Sequence, residues 1–233
     1  WCHEQGVLHR DIKPENLLLN ADHSLRLCDF GFACSQPDEG EALTDYVATR
    51  WYRAPELLLG SNHYCNKVDV WAVGCIMGEL SSGEPAFPGE SEIDQLYVIQ
   101  KSLGGLTPAQ NRLFLQNPRF AGLKFPDMSR PEGLHLKYGG RLPKLGVDCL
   151  RGMLVMCSSE RHEAARLLRH AWFAELAHAA AARAAHAAQP QVEAQARVEA
   201  GAQMQAAAQA AAEADARLQA QQQAQQQRQA YEQ

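Results

Sequence analysis

The residues best suited to chemistry lie in one short stretch, His9-Arg-Asp-Ile-Lys-Pro-Glu-Asn16, followed thirteen residues later by Asp29-Phe-Gly31. Asp11 is a carboxylate able to accept a hydroxyl proton, and Lys13 sets a cation beside it. Asn16 and Asp29 offer hard oxygens of the kind Mg²⁺ takes alongside phosphate oxygens. Phosphoryl transfer needs a positioned nucleophile and neutralised charge, and little covalent work from the protein. These four residues meet half of that demand. A single Asp or Lys in a charged loop is ordinarily a solvated turn residue. H-R-D-x-K-x-x-N followed by D-F-G at this interval is not explained that way.

The elements around these residues can be read from local pattern. Trp1–Gln5 reads as helical and is closed by Gly6. Apolar runs at Asn16–Leu19 and Ser24–Cys28 flank Asn20-Ala-Asp-His23 and predict a hairpin. From Lys67 to Ser82 apolar residues fall on every helical face, which predicts a helix inside a large core, stopped by Gly83. Ser91 is placed to cap a helix running to Leu103, before Gly104-Gly105. Two more helices are expected at 142–157 and 161–178. The Pro- and Gly-rich stretch 104–141 between them is expected to be mostly irregular, with short helical turns. The first 176 residues therefore read as mainly α, with small strands near the N-terminus.

Of the 233 residues, 46% are hydrophobic and 21% charged, enough for a sizeable core. The net charge of −5 argues against a nucleic-acid partner held by a basic surface. The 7 cysteines are scattered, with no C-x-x-C pair. They fit neither a disulfide framework nor a zinc ribbon and point to a reducing compartment. The longest apolar stretch, Val68 to Leu80, carries Asp69 and Glu79 and is too short for a membrane span. A soluble intracellular protein, cytoplasmic or nuclear, is expected. Residues 1–176 form one domain on this reading, and 177–233 form an Ala/Gln-rich, low-complexity tail, helical or disordered and divided by Pro190. His162, His170, His178 and His186 recur every eight residues, a spacing that spirals around a helix rather than converging on a metal.

The combination His9-Arg-Asp11, Lys13, Asn16, Asp29-Phe-Gly31 and Ala54-Pro-Glu56 resembles a protein kinase. Asp69-Val-Trp71 resembles the start of the kinase's central buried helix. Val47-Ala-Thr-Arg-Trp-Tyr-Arg-Ala-Pro-Glu-Leu57 is similar to the group of cyclin-dependent and mitogen-activated kinases. Leu27-Cys-Asp-Phe-Gly-Phe-Ala33, Phe87-Pro-Gly-Glu-Ser-Glu-Ile-Asp-Gln-Leu96 and Asn117–Pro126 are most similar to the cyclin-dependent-kinase-like family. The resemblance covers about residues 1–176. It implies the large lobe of a kinase, a helical bundle around a buried central helix with small β-hairpins near its N-terminus.

The resemblance implies ATP and Mg²⁺ as cofactors and a protein Ser/Thr substrate, the latter from Lys13 in Asp-Ile-Lys-Pro-Glu-Asn. Asp11 would be the catalytic base and Lys13 would steady the γ-phosphoryl group. Asn16 and Asp29 would hold Mg²⁺. Glu15 would approach the ribose, Leu18 would lie under the adenine, and Thr49 would fix Asp11 and Lys13. Thr44 and Tyr46 would accept activating phosphates from an upstream kinase, received by Arg10, Arg50 and Arg53. Arg161 would pair with Glu56. The resemblance does not fix a cyclin-like partner, and it adds a cilium as a possible location.

Two departures carry weight. Cys34 stands where kinases usually carry an arginine that helps bind the lip phosphate, so a weaker phosphate pocket is expected. Met156-Cys-Ser-Ser-Glu-Arg161 lacks the usual Asp-Pro before the arginine. The Gly-rich loop, the β3 lysine and its glutamate partner have no counterpart in these residues, and the chain opens at Trp1 within a helical pattern. A missing upstream lobe is expected, and with it poor catalysis by this chain alone. The alternative expectation is a non-catalytic binding module that uses the activation segment, the 104–141 insert and the tail.

Overall fold

The computed structural model describes residues 1–36 and 50–174. Trp1–Ala174 forms one compact unit. A 3₁₀ turn at His3–Gln5 ends on Gly6 in the left-handed region (φ 68°), as the Gly6 stop predicts. Strand β1 (Val7–Leu8) follows, then a 3₁₀ turn at Pro14–Asn16, β2 (Leu17–Leu19), β3 (Leu25–Leu27) and β4 (Cys34–Ser35). β2 and β3 form the predicted hairpin, with Leu18 opposite Arg26. Its turn is held by Asn20 Nδ2 donating to Ser24 Oγ and by the Ser24 N–H donating to Asp22 Oδ1. β1 pairs with β4 antiparallel, Leu8 opposite Cys34. That pairing brings the segment after Asp29 back beside the segment before His9.

The helical part contains α1 (Pro55–Leu58), α2 (Lys67–Ser82), α3 (Glu92–Leu103), α4 (Pro108–Gln116), α5 (Leu134–Tyr138), α6 (Lys144–Met153) and α7 (Ala164–Leu167). α2 has the predicted bounds and ends on Gly83 at φ 79°. Val68, Val70, Trp71, Cys75 and Ile76 are buried within it, and Trp71 stacks on Phe87 at 5.7 Å between ring centroids. Gly74 lets α6 come close, since a β-carbon there would sit 2.9 Å from Met153 Cβ. Burial is not complete around the helix. Val73 is 44% and Leu80 82% exposed, because no described element packs on that flank.

Two expectations need correction. The 104–141 stretch holds a nine-residue helix, α4, rather than turns alone. Thr107 caps it by accepting from the Gln110 N–H, Gln110 accepts from the Thr107 N–H, and Pro108 sits at the first helical position. The expected helix at 161–178 does not start at 161. Residues 154–163 are irregular around a turn at 158–160, α7 covers Ala164–Leu167, residues 171–174 are helical again, and the expected end at 175–178 lies outside the described residues. The chain is held open there because Val155 O accepts from the buried Arg161 guanidinium. Among the described residues no helix is long and apolar enough to cross a membrane. The tail reading, 177–233, lies outside the described residues.

Candidate active site

The loop after β1 is organised by a carboxylate that reaches it from the first turn of α2. Asp69 is buried; its Oδ1 accepts the Arg10 N–H at 2.8 Å and its Oδ2 accepts the His9 N–H at 2.9 Å. His3 Nε2 lies 2.8 Å from the same Oδ2. These bonds hold Arg10 at φ 68°, a left-handed conformation that costs a non-glycine residue about 1 kcal/mol. His9 is buried beneath the loop. Its Nδ1 can only accept from the Asp11 N–H at 3.3 Å, so its Nε2 carries the proton and donates to Cys28 O at 3.0 Å. The ring therefore ties the His9–Asn16 segment to the residue preceding Asp29, and Phe30 meets it edge-on at 4.8 Å.

Two of the sequence-predicted residues converge on the carboxylate of a third. Lys13 Nζ donates to Asp11 Oδ2 at 2.7 Å, and Asn16 Nδ2 donates to the same oxygen at 3.2 Å and to Asp11 O at 2.8 Å. Asp11 and Asn16 are buried. The hydrogen bond that Lys13 donates to Asp11 holds its ammonium above the ordinary lysine range, and the charges of Asp11, Glu15 and Asp29 add to it. Lys13 is thus held protonated among three carboxylates.

The pair Asn16 and Asp29 is suited to a hard cation. The Asn16 amide nitrogen is committed to Asp11, while its carbonyl Oδ1 accepts no hydrogen bond among the described residues. Asp29 is exposed at φ 60°, and among the described residues its Oδ1 accepts only a long 3.3 Å bond from the Gly31 N–H. The Cys28 N–H donates to Asn16 O at 3.0 Å and fixes the spacing of the two segments. Two open oxygen donors suit Mg²⁺, which completes its shell with phosphate oxygens and water.

Helix α1 is clamped separately. Arg161, only 1% exposed, makes a two-pronged pair with Glu56, Nη1 to Oε1 at 2.9 Å and Nη2 to Oε2 at 3.1 Å. Nη1 also donates to Lys67 O at 2.8 Å, and the guanidinium lies 5.0 Å from the Trp71 ring. The expected Glu56–Arg161 pairing is present without an Asp-Pro before the arginine.

The three arginines expected to receive phosphate do not share one environment. Arg10 Nε donates to Phe32 O at 2.6 Å and its Nη1 to the Tyr64 hydroxyl at 2.8 Å. Arg53 is buried near Glu92 at 3.8 Å and lines, with Arg10 and Asp11, a small cleft beside the His9–Asn16 segment. Arg50 Nη1 instead donates to Glu90 O at 3.3 Å. Cys34 is half-buried in β4, its thiol pushed up by burial and partly offset by the Arg10 charge. Glu15 is exposed in the turn before β2, and Leu18 is 51% exposed on the hairpin. Thr44, Tyr46 and Thr49 lie outside the described residues.

Sequence reasoning missed three groups that build this site: His3, His9 as a bridge, and Tyr64. The His3–Asp69 contact spans 66 residues and leaves no spacing signal. His9 was visible within the His-Arg-Asp run, but its bond to Cys28 O was not.

Comparison with known proteins identifies the family of the sequence. Residues 1–173 match the protein kinase domain family model. The chain is 51% identical over 174 residues to Cyclin-dependent kinase-like 5 of Mus musculus, covering 74% of this chain and 18% of that protein. It is 47% identical over 173 residues to Cyclin-dependent kinase-like 2 of Oryctolagus cuniculus, covering 74% of this chain and 30% of that protein. Identity to Cyclin-dependent kinase-like 4 of Mus musculus is 45% over 173 residues, 74% of this chain and 50% of that protein. The chain thus spans half or less of the length of these relatives. With its Asp11, Lys13, Asn16 and Asp29 set on such a scaffold, the chain belongs to the protein kinase domain family and is similar to its cyclin-dependent-kinase-like members.

Proposed function

We propose that these residues form the catalytic-loop side of an ATP-dependent protein serine/threonine kinase of the cyclin-dependent-kinase-like type. The observation that carries this reading is the meeting of Lys13 Nζ and Asn16 Nδ2 on one Asp11 oxygen, at 2.7 and 3.2 Å. Asp11 receives the proton of the substrate hydroxyl. Lys13, already held protonated there, balances charge as the phosphoryl group moves. Asn16 Oδ1 and the Asp29 carboxylate hold Mg²⁺, which when bound neutralises the phosphate oxygens. Glu15 and Leu18 face the ribose and adenine of ATP.

Thr44 and Tyr46 take activating phosphates from an upstream kinase. Arg10, Arg50 and Arg53 receive them, and Thr49 steadies Asp11 and Lys13. Because Arg10 is engaged by Tyr64 and Phe32, and Cys34 brings no second guanidinium beside it, phosphorylation of Thr44 has a weaker anchor than an arginine at 34 would give. The test is phosphoamino-acid analysis of a degenerate Ser/Thr/Tyr peptide mixture incubated with the full-length protein, labelled ATP and Mg²⁺. Phosphoserine and phosphothreonine are expected. Phosphotyrosine alone, or no label, would refute the assignment.

A further inference from the structure

A second cavity, of about 800 Å³, opens on the helical part of the molecule and shares no residue with the catalytic loop. It lies among the C-terminal end of α3, the first turns of α4, the start of α5 and the residues that follow α6. Leu103, Leu134, Leu154, Val155 and Met156 supply an apolar lining, and Arg112 of α4 and Arg151 of α6 stand at its rim. Both arginines are exposed, and neither makes a hydrogen bond or ion pair among the described residues. Other cations of the helical part do have partners: Lys101 pairs with Glu132 at 3.1 Å and Arg161 with Glu56. Ser102 also lines the cavity; it is 3% exposed, and its hydroxyl has no hydrogen-bond partner among the described residues.

We infer that this cavity is a docking site for a peptide segment of a partner protein, in which acidic side chains flank a large apolar one. The apolar lining gains from covering by a leucine or phenylalanine side chain. The unpaired Arg112 and Arg151 then meet carboxylates, which Arg takes two-pronged. Glu160 is the one acidic residue of the rim, so the two arginines leave a local excess of positive charge on a chain of net charge −5. Ser102 offers a hydroxyl to the backbone of the inserted segment. The α4 helix that forms one wall is the nine-residue element inside the 104–141 insert, so the insert gives this surface its shape. This site stands independently of the kinase reading.

The test uses the whole chain and a phage-displayed random peptide library. Enriched peptides are labelled and titrated by fluorescence polarisation. They are expected to carry Asp or Glu beside Leu or Phe. Affinity should fall roughly ten-fold or more on the Arg112→Glu, Arg151→Glu double variant, as two rim ion pairs become repulsive. It should also fall on Ala109→Trp, which places bulk in the mouth without changing charge. Peptides whose acids are replaced by lysine should regain affinity for the charge-reversed variant, which shows that the variant is folded. Enrichment of peptides lacking acids, or wild-type affinity on both variants, would overturn the inference. So would displacement of the label by a synthetic peptide of residues 188–204 or by a second unlabelled copy of the chain, since either would make the occupant this chain itself.

Discussion

Replacing Glu56 by Gln keeps the side-chain shape and removes one charge from the clamp that joins α1 to α2. The Arg161 guanidinium is 1% exposed and has two bonds to the Glu56 carboxylate, at 2.9 and 3.1 Å. Its remaining acceptors are the carbonyls Lys67 O and Val155 O, which cannot neutralise it. After the substitution the positive charge stays buried, and the new amide NH₂ faces a guanidinium N–H with no acceptor between them. Breaking a buried pair from one side costs about 3–5 kcal/mol. For a domain of this size that lowers the melting temperature by on the order of 10 °C. Arg161→Met should also be costly, because it strands the Lys67 and Val155 carbonyls. The double variant Glu56→Gln, Arg161→Met should lose less than the sum, with a coupling of about 2 kcal/mol. Urea denaturation followed by circular dichroism gives all four corners of the cycle. A Glu56→Gln protein within about 1 kcal/mol of wild type, or single losses that simply add, would refute the reasoning.

Acid sensitivity should come partly from His162. Burial first, then the charges of Arg166 and His170, hold its pKa below the ordinary histidine value of 6.5. Its Nδ1 is buried without a hydrogen-bond partner in the described fold, so the neutral ring is the one that fits. The unfolded chain then binds the extra proton more readily, and stability rises with pH across this titration. The contribution is fully present above pH 6.5 and is lost as pH falls from there through the lower folded value. Urea midpoints between pH 7 and pH 5 should drop less for His162→Gln than for wild type; parallel profiles would exclude His162 as the cause. At the lip, Cys34→Arg should increase the activation obtained on phosphorylating Thr44. Kinase assays of both proteins, with and without that phosphate, check this, and equal activation ratios would dismiss the role given to position 34.

Much of the fold was legible where local chemistry and tertiary packing agree. Lys67–Ser82 is apolar enough for a core helix and Gly83 supplies the left-handed stop, so its bounds could be read directly. Ser91 is a helix cap in sequence and in structure, accepting from the Asp94 N–H. The α4 helix was readable in principle, from the Thr107-Pro-Ala-Gln110 capping pattern, but nearby Gly and Pro residues obscured it. At 161–163 strong helix formers downstream suggested a continuous helix, and a tertiary demand overrode them. Arg161 must reach Glu56, 105 residues away, and the turns before it supply the Val155 carbonyl. Val73 and Leu80 break the all-round burial for a reason no periodicity reveals, the lack of a described partner on that flank.

The candidate site divides in the same way. Asp11, Lys13, Asn16 and Asp29 were visible because their types and intervals suit phosphate and metal chemistry. Of their support, Asp69 was marked by the Asp69-Val-Trp71 motif, but its contacts were not visible. Asp69 accepts from the backbone of His9 and Arg10 across about sixty residues, and only a folded chain brings α2 beneath that loop. The cavity beside Arg112 and Arg151 was invisible for the same reason, since it is assembled from α3, α4, α5 and the residues after α6.

The central claim is that Asp11 serves as the base in phosphoryl transfer. It is tested most directly by comparing wild type and Asp11→Asn in the full-length protein, measuring labelled phosphate transfer to a serine peptide and, in parallel, nucleotide affinity. The account predicts a loss of roughly 10²–10⁴-fold in turnover, with nucleotide affinity close to wild type because Asn16 and Asp29 remain. Turnover within a few-fold of wild type would contradict it.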